Sequence, residues 1–201
     1  MKASYVKPFL VALLIILADQ ALKIWVRTNM FEGQEIHFFG ERGMLRFIEN
    51  NGMAFGMELG GELGKLALTL FRIVAVFAIG YGLVHLIKHK YHRGLIMNVA
   101  LILAGATGNI IDSVFYGVIF KYETWFHGRV VDMFYFPLIT GHFPGWVPIW
   151  AGESFTFFGP IFNLADAAIS VGVILILIFQ KSYFKHEEPE PASPNSEMVE
   201  E

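Results

Sequence analysis

Residues 95–118 read LIMNVALILAGATGNIIDSVFYGV. A helix needs about 20 predominantly apolar residues to cross a bilayer, and this stretch meets that length while carrying Asn109 and Asp112 toward one end. Three further stretches, 8–26, 66–87 and 157–179, are of comparable length and character. With 55% hydrophobic and 15% aromatic residues in 201, the composition departs from that of a soluble domain in the direction of a lipid solvent. The expectation is an all-α polytopic membrane protein. Its four transmembrane helices would carry a small extracytoplasmic β-hairpin or sheet and a long outer loop.

The first stretch follows Lys2 and Lys7 as a signal peptide would, but Asp19, Gln20 and Lys23 interrupt it and no small-x-small cleavage site follows. It reads as a retained helix. Lys2, Lys7, Lys88, Lys90, Arg93, Lys181 and Lys185 fall in short segments on one side, whereas the long segments opposite mix their basic residues with eight glutamates. The density of basic residues places both termini in the cytoplasm. Residues 1–185 then form one membrane domain, and 186–201, rich in Glu, Pro and Ser without Lys or Arg, form a disordered acidic tail. On the outer side, 36–39 and 44–49 have strand composition around a 40–43 turn. The segment 119–156 is aromatic-rich, as expected at headgroup level.

The chain has four aspartates, Asp19, Asp112, Asp132 and Asp166, against fourteen glutamates. The glutamates read as loop or tail residues, whereas three of the aspartates fall inside apolar spans, where an ionisable group marks a functional site. At a rise of about 1.5 Å per residue, Asp19 and Asp112 lie roughly 18 and 27 Å from the inner edge and Asp166 roughly 14 Å from the outer one. All three sit in the outer half of the membrane, and Asp132, on the outer loop, can reach the same level. Asn109 shares a helix face with Asp112, and Asn163 with Asp166, at i,i+3; Asp19 and Lys23 can neutralise each other at i,i+4. Arg72 sits roughly 10 Å below the outer edge of its helix. The small residues at 104–108 let neighbours approach this polar face.

Carboxyls brought together in low dielectric cannot both ionise cheaply, so one keeps a proton while the other can act as a base. Aspartyl peptidases use that asymmetry. Intramembrane Asp, Lys and Arg also build proton-coupled transport pathways, although no internal repeat and no charged ladder into the inner half accompany them here. A non-enzymatic scaffold is a third reading. His85, His89 and His92 have usable metal spacing, but they lie in or beside a basic run at the inner face that reads as an interfacial turn. With no cysteine, phosphate-binding loop or nucleic-acid motif, no metal, cofactor or nucleic-acid partner is expected.

Five runs, in order along the chain, resemble the lipoprotein signal peptidase (signal peptidase II) family. They are Asp19-Gln20…Lys23, Asn50-x-Gly52-x-Ala54-Phe55-Gly56, Gly105-x-x-Gly108-Asn109-x-x-Asp112, Val130-Val131-Asp132-Met133-Phe134 and Phe162-Asn163-x-Ala165-Asp166-x-x-Ile169. The resemblance implies a bacterial inner-membrane endopeptidase that cleaves diacylglyceryl-modified prolipoproteins just before the lipidated cysteine. It implies Asp132 and Asp166 as the catalytic pair near the outer face. Asn50, Gly52, Ala54, Phe55, Arg72, Asn109, Asp112 and Asn163 would shape the site, with Asp19 and Lys23 in support. The expected partners are the prolipoprotein and membrane lipids, the enzyme acting as a monomer. Two features depart from the family: Ser113 stands where Arg is frequent, and additional residues occupy 117–130 and 141–153.

Overall fold

The computed structural model describes residues 3–52, 61–146, 148, 152–157 and 159–184. Ala54, Phe55 and the tail at 186–201 lie outside the described residues. Four long helices, α1 (Ala3–Asn29), α2 (Gly61–Lys88), α3 (Arg93–Ile111) and α4 (Leu164–Tyr183), form the body of the protein. α3 runs on through a π-helical turn, Asp112–Tyr116, and a last helical turn, Gly117–Ile119. Each of the four is long and apolar enough to cross a membrane. Large apolar side chains such as Leu13, Leu17, Phe71, Phe77, Leu177 and Ile178 point outward, while Asp19, Lys23, Asp112 and Asn163 are buried. That inversion suits hydrocarbon outside and a polar cluster within.

The helices approach closely because glycine lines the contact. A Cβ on Gly105 would run into the Ala165 carbonyl, and one on Gly108 would lie 2.7 Å from Asp19 Oδ2 and 3.2 Å from Ala165 Cβ. α1, α3 and α4 therefore meet at one level, with backbone nearly touching backbone.

At that end of the bundle a three-stranded antiparallel sheet runs in the order β1 (Glu35–His37), β2 (Met44–Asn50), β3 (Val130–Tyr135). Ile48 stands opposite Asp132 and Asn50 opposite Val130, with a register shift between Leu45 and Ile48. Val26, Met30, Phe47, Tyr116, Val131 and Met133 make a buried apolar layer joining sheet to helix ends. A separate pair, β4 (Ile139–His142) and β5 (Ser154–Phe157), follows β3. Phe134 bridges Phe162, which delivers the chain to α4.

Several expectations need correction. The outer segment that holds Asp132 forms a strand there, β3, whose residues pair with β2. The fourth helix begins at Leu164; Phe157 belongs to β5, and Pro160 with the Asn163 cap delays the helix. Hydrophobicity alone cannot tell a short apolar strand from a helical turn. Asp166 is consequently in the first turn of α4, only about 3 Å from its start by helical rise. α2 starts at Gly61, which puts Arg72 roughly 16 Å along it. Glu35 and Glu49 are on strands and Glu62 opens α2, since strand and helix both extend beyond the apolar core.

The glycine contact makes a test of the packing. Gly105→Leu should lower thermal stability in detergent by the about 1–3 kcal/mol typical of overpacking, or more. Gly82→Ala, with nothing within 4 Å of its Cβ position, should leave the melting temperature unchanged or raise it slightly, since Ala favours the helix over Gly.

Candidate active site

Lys23 is wholly buried, and its ammonium has three protons to place. It places them at 2.9 Å on Asp19 Oδ2 and at 2.9 Å on Asp112 Oδ2, and at 2.9 Å on Asn109 Oδ1. Both carboxylates are saturated further. Asp19 Oδ1 accepts from the Ala165 N–H at 3.0 Å, and Asp112 Oδ2 accepts from the Val131 N–H at 3.2 Å. Gln20 Nε2 donates to Asp112 Oδ1 at 2.9 Å and to Asp19 Oδ2 at 3.2 Å. The cluster thus ties α1 to α3, to the start of α4 and to β3. With their oxygens so engaged, Asp19 and Asp112 are anchors.

The π-helical turn at Asp112 helps deliver β3, since the Ser113 and Val114 carbonyls accept from the backbone N–H groups of Gly128 and Phe126. Ser113, the departure from the family pattern, turns its hydroxyl back onto the Asn109 carbonyl.

Three asparagines convert this frame into a site. Lys23 holds the Asn109 oxygen, so its Nδ2 faces Asp166 Oδ1 and donates at 2.8 Å. Asn163 caps α4: its Oδ1 accepts from the Asp166 N–H at 2.9 Å, while Asp166 Oδ2 accepts from the Asn163 N–H. The Asn163 amide is thereby oriented, and its Nδ2 donates to Asp132 Oδ1 at 2.7 Å. Asn50 Oδ1 accepts from the Gly52 N–H at 2.8 Å, which turns Nδ2 toward Asp132 Oδ2 at 3.2 Å. The Gly52 carbonyl accepts from Arg72. Gly52 has φ +92°, and a Cβ there would lie 2.6 Å from the Arg72 guanidinium, so only glycine suits the position.

Asp132 and Asp166 are therefore linked through Asn163, each with one donor on each oxygen among the described residues. Arg72 is electrostatically coupled to both. Burial pushes the Asp132 carboxyl up to about 7, and the Asp166 charge adds to the rise; the bonds from Asn50 and Asn163 and the Lys23 charge oppose it. A carboxyl that keeps its proton near neutrality beside a second carboxyl can serve as acid and base together.

Of the residues expected at the site, Asp19, Lys23, Asn50, Gly52, Arg72, Asn109, Asp112, Asp132, Asn163 and Asp166 are brought together. Gln20 had been given no role, although a glutamine inside an apolar span was a signal. Tyr116, whose hydroxyl donates to Gln20 Oε1 at 3.1 Å, left none, because an aromatic near a helix end reads as an interfacial anchor. The histidines serve local ends: His92 caps α3 and stacks on Tyr183, and His89 bonds the His85 carbonyl.

The raised Asp132 carboxyl carries a sign. Its folded value of about 7 lies above the ordinary 3.8, so the folded state holds the proton more tightly. The resulting stabilisation is complete below about pH 4 and is lost as pH rises through about 7. Melting temperature should fall over that range in the wild type, and Asp132→Asn should remove much of the slope and melt higher than wild type at pH 8. A lower melting temperature for the variant at pH 8 would contradict the assignment.

The signal peptidase (SPase) II family model matches residues 11–181 of the chain. A lipoprotein signal peptidase of Porphyromonas gingivalis is 51% identical over 181 residues, covering 82% of this chain and 78% of that protein. One from Amoebophilus asiaticus is 40% identical over 181 residues, covering 86% and 76%. A bacterial membrane enzyme solved by the in meso method at 2.3 Å resolution aligns with a TM-score of 0.63 at 25% identity, over 92% of this chain and 94% of that one. The matched region runs through every buried polar group of the site, and the chain belongs to the signal peptidase II family.

Proposed function

We propose that Asp132 and Asp166 are the catalytic pair of an intramembrane aspartyl endopeptidase that removes the signal peptide from diacylglyceryl-modified prolipoproteins, cleaving just before the lipidated cysteine. The observation that carries this reading is Asn163, bonded at once to Asp132 and to Asp166. The two carboxyls have unlike surroundings. Asp132 stands on a buried strand and retains its proton near neutrality, whereas Asp166 sits in the first turn of α4 and accepts from the Asn163 backbone N–H and the Asn109 amide.

The Asp166 carboxylate takes a proton from water as the water oxygen attacks the scissile carbonyl. The Asp132 hydroxyl donates to the developing oxyanion. Collapse of the tetrahedral intermediate then passes the proton from Asp166 to the departing amine and returns the proton on Asp132. Asn50, Asn109 and Asn163 hold both carboxyls in place, and Asp19, Lys23 and Asp112 hold the asparagines.

α1 and α3 lead toward the strands and α2 and α4 lead away, so Lys88, Lys90, Arg93 and Lys181 gather at the end opposite the site. Their density supports cytoplasmic termini and a site near the outer face of the bacterial inner membrane. The protein acts as a monomer, with the substrate's acyl chains left in surrounding lipid.

Purified enzyme incubated with a diacylglyceryl-modified prolipoprotein should produce the mass loss of the signal peptide, and should do so in the presence of a metal chelator. Asp132→Asn and Asp166→Asn should each cut the rate by about 10²–10⁴-fold, the range for loss of an acid–base group, while remaining folded. Near-normal cleavage by either variant would sink the pair.

A further inference from the structure

Glu49, on β2, has only 6% of its side chain exposed, yet it has no place in the chemistry above. It lies between two guanidinium groups. Arg27, from the last turn of α1, pairs with one carboxylate oxygen, and Arg129, the residue before β3, lies 3.3 Å from the other. The Arg27 guanidinium is 4.8 Å from the Phe120 ring centroid and 4.7 Å from that of Tyr122. The Tyr122 hydroxyl accepts from the Arg129 backbone N–H at 2.7 Å. Three chain segments, including the part of 117–130 that departs from the family pattern, meet on one carboxylate.

The residues next to this clamp belong to the site. Asn50 follows Glu49, Val130 follows Arg129, and Asn50 and Val130 are register partners. Arg27 lies one helical turn beyond Lys23. The β2–β3 ladder is irregular between Leu45 and Ile48, and strand pairing beside a bulge can slip. A slip of one residue would turn Asn50 to the opposite face of the sheet, away from Asp132.

We propose that Glu49 is a positioning residue: clamped between Arg27 and Arg129, it sets the β2–β3 register beyond the bulge and so holds Asn50 on Asp132. The proposal rests on the reading of Asp132 and Asp166 as the catalytic pair. It gives the departing segment 120–129 a purpose, since Phe120 and Tyr122 pack against one arm of the clamp and Tyr122 bonds the other.

The test compares Glu49→Gln and Arg129→Gln in the full-length enzyme, following kcat, KM and the alkaline limb of the pH–rate profile. Asp166, Lys23 and Arg72 face Asp132 from α4, α1 and α2 and are untouched by either change. Glu49→Gln removes a negative charge and Arg129→Gln a positive one, so a purely through-space charge effect would move the limb in opposite directions. Loss of position admits water to Asp132 and moves it to lower pH in both. A displacement of a fraction of an ångström to 1 Å should lower kcat by about 10-fold in each variant, with KM little changed. Arg129 is 42% exposed, so Arg129→Gln should fold even if Glu49→Gln does not. Wild-type kcat in either folded variant, or limbs moving apart, would overturn the proposal. Cleavage by wild type and its loss in Asp132→Asn test the catalytic pair separately, so failure of the clamp and failure of the pair are distinguishable.

Discussion

A buried ammonium must find three acceptors, and Lys23 finds them on two carboxylates and one amide, all at 2.9 Å. Through them α1 is fastened to α3, and through further bonds to the same carboxylates, at Asp19 Oδ1 and Asp112 Oδ2, to the backbone of α4 and β3. Each ion here would cost several kcal/mol if left alone in low dielectric, and removing one partner of such a cluster typically costs about 3–5 kcal/mol. Gly105 and Gly108 make the arrangement possible: a side chain at Gly105 would push α3 from α4, and one at Gly108 would meet Asp19 on α1 and Ala165 on α4.

The asparagines pass this order on to Asp132 and Asp166, the pair proposed to react. An amide has a donor end and an acceptor end, so a partner that takes the oxygen determines where the nitrogen points. Lys23 takes the Asn109 oxygen, the α4 backbone takes that of Asn163 and the Gly52 N–H takes that of Asn50. All three nitrogens then face Asp132 or Asp166. The two carboxyls differ in their elements, a buried strand position for Asp132 and the first turn of a helix for Asp166. Neither distinction needs a group from outside the chain.

Much of this was legible in the residues. The apolar spans, the Asp19–Lys23 pair at i,i+4, the strand composition around 40–43 and the aspartates at one level follow from local period and spacing, which physical rules describe well. The proposed catalytic pair was singled out only by resemblance, and the depth of Asp166 was misread. β3 pairs with β2 across some eighty residues of sequence, as in Asn50 to Asp132, and no local pattern announces a partner so distant. The start of α4 was misplaced because apolar β5 residues continue the hydrophobic run, which exaggerated the depth of Asp166. Gln20 and Glu49 were visible as residues but not as junctions, since their meaning lies in what converges on them.

The role of Lys23 is to aim the Asn109 amide at Asp166, beyond balancing charge. Its most direct test is the cleavage rate of the Lys23→Met, Asp19→Asn, Asp112→Asn triple variant, in which the buried charges are removed together so that none is left unpaired. The triple variant should fold in the membrane, because the cost of isolated buried ions is avoided, but cleave at least about 10-fold more slowly, because the Asn109 amide is no longer oriented on Asp166. A folded triple variant that cleaves at the wild-type rate would contradict that role.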